Sequence, residues 1–121
     1  MKHHVDFISL EENDNDIIIS FAIPDNDIIV KSLILYRTFF FEEFLEEEEK
    51  GVKVSFEGDH FDKEDFNTLT NIIIKNDEVK IFSSFREYEL DISNISKSEI
   101  KNMVHLLKKQ NYDNRFTIQN A

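Results

Sequence analysis

Residues 16–37 read DIIISFAIPDNDIIVKSLILYR, and the fold turns on how this stretch is understood. Residues 16–23 and 28–37 are dense in Ile, Val and Leu, side chains that suit a pleated, half-buried surface. Between them Pro24-Asp25-Asn26-Asp27 reads as a turn, because proline presets one dihedral and the Asp and Asn side chains bond nearby amides. Both faces of each run carry apolar groups, so the pair is expected at the centre of a sheet.

The flanking segments also read as β. Residues 3–10, with Val5, Phe7, Ile8 and Leu10, predict an edge strand. Residues 52–57 set Val52, Val54 and Phe56 opposite Lys53, Ser55 and Glu57; residues 86–92 set Tyr88, Leu90 and Ile92 opposite Glu87, Glu89 and Asp91. This period of two predicts antiparallel strands with one solvated face. Residues 71–83 predict a hairpin turning at Asn76-Asp77-Glu78, and residues 115–119 a last short strand.

Two segments read as helix. From Lys97 to Gln110, Ile100, Met103, Val104 and Leu107 recur at helical spacing. Ser96 and Glu99 have the spacing of a capping box, Ile95 and Ile100 that of a hydrophobic staple. Lys108 and Lys109 lie where the helix dipole favours cations. The second helix is expected over residues 63–70, capped by Asp62 and stapled by Phe61 and Phe66. The expected fold is therefore α+β: one domain over residues 1–121, mainly antiparallel sheet, with a short middle helix and a capped C-terminal helix packed on one face.

The composition narrows the function. Of 121 residues, 40% are apolar and twelve are Phe, enough to build one core. Cys is absent, which excludes disulfides, thiolate nucleophiles and Cys-based zinc sites. The opening Met1-Lys2-His3-His4-Val5-Asp6 predicts no signal peptide, and no apolar run approaches the roughly 20 residues that span a bilayer. The expected location is the cytoplasm. The net charge of −11 is unevenly placed: six basic and 18 acidic residues precede Ile72, against eight and seven from there on. Such a surface repels nucleic acid and anionic membrane and attracts basic partners, although excess acid also serves solubility alone.

No catalytic or phosphate-binding motif is present, and the expectation is a binding protein without cofactor or metal rather than an enzyme. Asp59, His60, Asp62, Glu64 and Asp65 form the densest set of metal-type ligands, but the same acids suit the first turn of a helix. His3 and His4, adjacent in a strand, point to opposite faces and do not share a metal. His105 reads as a helix-surface residue.

The most unusual segment is Phe39 to Glu49, FFFEEFLEEEE. An interior cannot hold so many carboxylates unpaired, so the stretch is expected to reach solvent or a basic partner. Glu42, Glu43, Glu46, Glu47 and Glu48 are the candidate charged contacts, with Phe40, Phe41 and Phe44 as apolar anchors. Asp59, Asp62 and Asp65 are second candidates. The equally open alternative is that the Phe residues are core and the Glu residues a solvated face.

Arg37-Thr38, the Phe- and Glu-rich segment after it, and Glu49-Lys50-Gly51-Val52-Lys53-Val54-Ser55 resemble part of a family of small bacterial immunity proteins, whose genes accompany polymorphic or contact-dependent growth inhibition toxins. The plan of a strand, a helix capped at Ser96 and an Asn-rich tail is also similar. The resemblance covers about half the chain, and Phe39 stands where relatives often carry Pro. It implies a stoichiometric inhibitor whose partner is a cognate toxin domain. A nuclease toxin, basic because it binds phosphates, would suit the acidic surface. Competing readings are a phage-type acidic mimic of nucleic acid that inhibits a host defence nuclease, a small metal-binding protein or enzyme using Asp59, His60 and Asp62, and a structural subunit.

Overall fold

The computed structural model describes residues 2–25, 28–40, 42–57 and 67–120, with Glu48 described by its backbone alone. Among them the chain is α+β, with nine strands in two sheets and one α-helix. The first sheet is an antiparallel meander of β2 (Phe7–Glu12), β3 (Asp16–Pro24), β4 (Val30–Thr38) and β5 (Lys53–Phe56), in that order. As the apolar runs imply, β3 and β4 lie at its centre, in register from Ile17 opposite Arg37 to Pro24 opposite Val30.

The second sheet contains β1 (Lys2–His4), β6 (Leu69–Lys75), β7 (Glu78–Ser83), β8 (Glu87–Asp91) and β9 (Thr117–Asn120), ordered β1-β8-β7-β6-β9. Its centre is antiparallel, while the outer strands β1 and β9 run parallel to β8 and β6. The expected 71–83 hairpin is there. Lys75 faces Glu78 across a two-residue turn in which Asn76 takes φ 38°, a left-handed conformation that Asn tolerates.

The segment expected as one edge strand over residues 3–10 is divided. The amide of Val5 donates to the Asp91 carbonyl at 2.9 Å, and that of Asp6 to the Ala22 carbonyl at 2.8 Å. These acceptors belong to different sheets. Val5 is fully buried between the two pairings, and β1 and β2 leave in separate sheets.

The middle helix also needs correction. Residues 63–66, with Asp62, Phe61 and Phe66, lie outside the described residues, but residues 67–70 are not helical. Val54 donates to Asn67 and Leu69 to Val52, each at 2.8 Å, and β6 has begun at Leu69. Backbone groups engaged across strands are unavailable to a helix. The short helical pieces found are two 3-10 turns, Glu42–Phe44 and Glu47–Glu49.

Helix α1 spans Lys97–Gln110, as its periodicity predicts. The Ser96 hydroxyl accepts from the Glu99 amide at 3.2 Å. Met103, Val104, Leu106, Leu107 and Gln110 are buried, and α1 packs across β2 and β3. Buried side chains from both sheets and the helix form one core, including Ile19, Phe21, Leu35, Ile72, Ile81 and Leu107. Among the described residues no helix is long and apolar enough to cross a membrane.

Gly51 releases the chain from the second 3-10 turn into β5 with φ 111°, where an added Cβ would stand 3.2 Å from the Thr68 methyl. Gly51→Ala is therefore expected to lower stability by about 1–3 kcal/mol, read from urea denaturation. An unchanged midpoint would contradict this strain.

Candidate protein-interaction site

Along β4, Leu33, Leu35 and Arg37 have the same parity, and all three are buried. A guanidinium at a core position requires acceptors for its five N–H groups. Nε donates to both Glu42 carboxylate oxygens, at 2.9 and 3.2 Å, and Nη2 also bonds Glu42. Nη1 donates to Asp113 Oδ1 and to the Gln110 carbonyl, both at 2.8 Å; Nη2 reaches Asp113 Oδ2 at 2.9 Å. The Tyr112 ring centre lies 4.5 Å from the guanidinium carbon and that of Phe39 5.7 Å, both in cation–π range.

The charges continue outward in alternation. Arg115 Nε donates to Asp113 Oδ2 at 2.6 Å, and its Nη2 pairs with Glu47. Lys50 lies 3.6 Å from the same Glu47 carboxylate. The hydrogen bond from Arg37, then that from Arg115, holds Asp113 well below the usual carboxylate range. Arg115 likewise lowers Glu47, and Asp113 and Glu47 raise Arg115. Burial opposes the charge on Arg37, but hydrogen bonds to Asp113 and Glu42 outweigh it and raise its pKa. For Lys53, whose Nζ bonds the Glu49 carbonyl, burial wins and the pKa falls.

This network anchors the connection between β4 and β5 at several points. Arg37 ties down the first 3-10 turn through Glu42. Arg115 and Lys53 tie down the second, through the carbonyls of Glu47 and Glu49. Within that turn the Glu46 amide donates to the Glu49 carboxylate at 3.4 Å, one half of a capping box. Between these anchors Phe40 is 61% and Phe44 77% exposed. Glu43 and Glu46 are also exposed and make no ion pair among the described residues. A cleft of about 310 Å³, with Phe39, Glu43 and Tyr112 in its walls, opens beside them.

The predicted contacts thus divide into groups. Glu43, Glu46, Phe40 and Phe44 share one exposed loop. Glu47 is exposed but already paired. Glu42 corrects the expectation that the stretch faces solvent or a partner: it is buried, and its carboxylate neutralises Arg37. Phe41, Asp59, Asp62 and Asp65 lie outside the described residues, as do His60, Glu64 and the side chain of Glu48. His3 packs its ring against Phe56, while His4 contacts Asp91 and Asn94; His105 is exposed on α1. The network residues Arg37, Tyr112, Asp113 and Arg115 were not among the sequence candidates. The parity of Arg37 with Leu33 and Leu35 could have exposed Arg37; no local pattern marks Tyr112, Asp113 or Arg115 as its partners.

The chain matches no protein-family model, no curated protein and no solved structure.

Removing one partner of a buried pair costs more than replacing all partners together. Glu42→Gln is expected to destabilise by about 3 kcal/mol. Replacing Arg37 by Met together with Glu42→Leu and Asp113→Asn should recover most of that loss in chemical denaturation. A triple variant no more stable than the single one would contradict this assignment.

The pH dependence follows from the lowered carboxylates. Asp113 and Glu47 have lower pKa values folded than unfolded, so their contribution is complete above about pH 4–5 and is lost as pH falls toward the folded values. Acid titration of Tm should show this decline, with a shallower slope in Asp113→Asn.

Proposed function

We propose that the chain is a stoichiometric protein inhibitor of the immunity type, which binds a basic, nuclease-type toxin domain through the loop after β4. The observation that carries this reading is the anchored exposure of Phe40 and Phe44 beside Glu43 and Glu46, exposed carboxylates without an ion pair among the described residues. Exposed aromatics in a charged rim have the composition of an interface. Holding them in place beforehand lowers the ordering cost of binding. The net charge of −11 supports fast capture of a cationic surface and opposes binding to nucleic acid. The resemblance noted around Arg37 to Ser55 points the same way, and a cytoplasmic location suits an inhibitor that protects its own cell.

The test begins with the tagged chain and a lysate of its host at low salt. One basic domain should be retained, released by salt, toxic when expressed alone and tolerated on co-expression. With that domain in hand, Glu43→Gln with Glu46→Gln is expected to slow association several-fold at low salt with little change in dissociation. Phe44→Ala should instead speed dissociation. Association unaffected by the Gln substitutions, or a retained protein without toxicity, would contradict the reading.

A further inference from the structure

Helix α1 carries a charge pattern opposite to that of the chain as a whole. Its 14 residues contain four lysines and a single glutamate. Lys97, Lys101, His105 and Lys108 line one groove of about 500 Å³, whose apolar walls include Ile100 and Val104. These four basic residues are exposed, and none is ion-paired among the described residues; Lys109, by contrast, bonds Glu12 at 2.7 Å. The groove ends at Asn120 of β9, an edge strand with a single neighbour. A second cleft, of about 380 Å³, shares Lys97 and Ile100 and adds Ile92 and Ile95, lengthening the apolar surface toward Asp77.

An apolar channel bordered by cations suits a polypeptide segment that carries both apolar side chains and carboxylates. Nucleic acid suits it less, because among the described residues no Phe, Tyr or Trp lines the groove for base stacking and the chain is strongly anionic. The loop after β4 has the complementary chemistry, with Phe40 and Phe44 exposed and with Glu43 and Glu46 exposed and without an ion pair among the described residues. Its cleft and the helix groove have no lining residue in common, so the two surfaces are separate features of one molecule.

We propose that the helix groove receives the acidic loop of a second copy of this chain, in a head-to-tail contact. Two different patches meet, so the contact is heterologous and leaves one groove and one loop open at the ends of each assembly. Complementary charges drive it against the net repulsion of two anionic chains, which makes it weak and sensitive to salt. A tight partner on the loop competes with it directly. The inference needs only the loop and the groove, and it does not rest on the identity of that partner.

Sedimentation velocity on the full chain tests it. At low salt the average mass of the wild type is expected to rise with concentration, and high salt should return it to the monomer. Lys97→Glu with Lys101→Glu reverses two of the groove charges at exposed positions, the first of them in the opening turn where the helix dipole favours acids, and circular dichroism would verify that α1 remains folded. Glu43→Lys with Glu46→Lys reverses the loop. Each double variant alone should associate at least about tenfold more weakly. Mixed, they should associate again, because the acidic groove of one variant complements the basic loop of the other while the remaining loop and groove are those of the wild type. The neutral pair Lys97→Gln with Lys101→Gln should also weaken association. A wild type that stays monomeric at low salt, an oligomer that survives both reversals, or a groove that binds a single-stranded RNA oligonucleotide while the chain stays monomeric would overturn the proposal.

Discussion

The structure depends on neutralising one buried cation. Arg37 occupies a core position at the end of a central strand, and its charge has no access to solvent. Isolated there, a guanidinium would cost several kcal/mol, a large share of the stability of a small domain. Glu42 and Asp113 meet the demand from two directions, one five residues later in the chain and the other 76. The link to Asp113 joins the chain beyond α1 to β4. At the same place Gln110 passes its side-chain N–H groups to the carbonyls of Ile17 and Leu35. The end of the helix, the end of the central hairpin and the start of the acidic loop are thereby held as one unit.

This arrangement explains why a glutamate-rich segment adopts a defined shape in a chain already carrying excess acid. Left alone, neighbouring carboxylates would repel and spread apart. Here Glu42 and Glu47 alternate with Arg37, Arg115 and Lys50, and Asp113 lies between the two arginines. Repulsion is converted into a braced array. Glu43 and Glu46 remain outside it, beside the exposed Phe40 and Phe44. Buried or paired acids and exposed acids of the same segment are separated by their partners rather than by their chemistry.

Much of the architecture was legible in local pattern. The β3–β4 pair, the hairpin at Asn76 and the boundaries of α1 follow from β-branched runs, turn chemistry and capping spacing. The errors came where distant pairing overrode local signals. Nothing near Val5 and Asp6 shows that their amides bond to Asp91 and Ala22 in different sheets. Likewise Asn67 to Leu69 lose helical preference to pairing with β5. The loop was recognisable as unusual, but the role of Glu42 depends on Arg37 facing inward, and that of Asp113 on the return of the chain after the helix. Parity along β4 pointed to the first of these; the second is a property of the assembled fold.

If the buried Arg37 network holds the acidic loop rigid in the free protein, ¹⁵N relaxation of the unbound chain will show it. Backbone order parameters across Glu42 to Glu49 are expected near those of β3 and β4, at about 0.8 or above. Values below about 0.6 in this loop, with the strands rigid, would contradict the account.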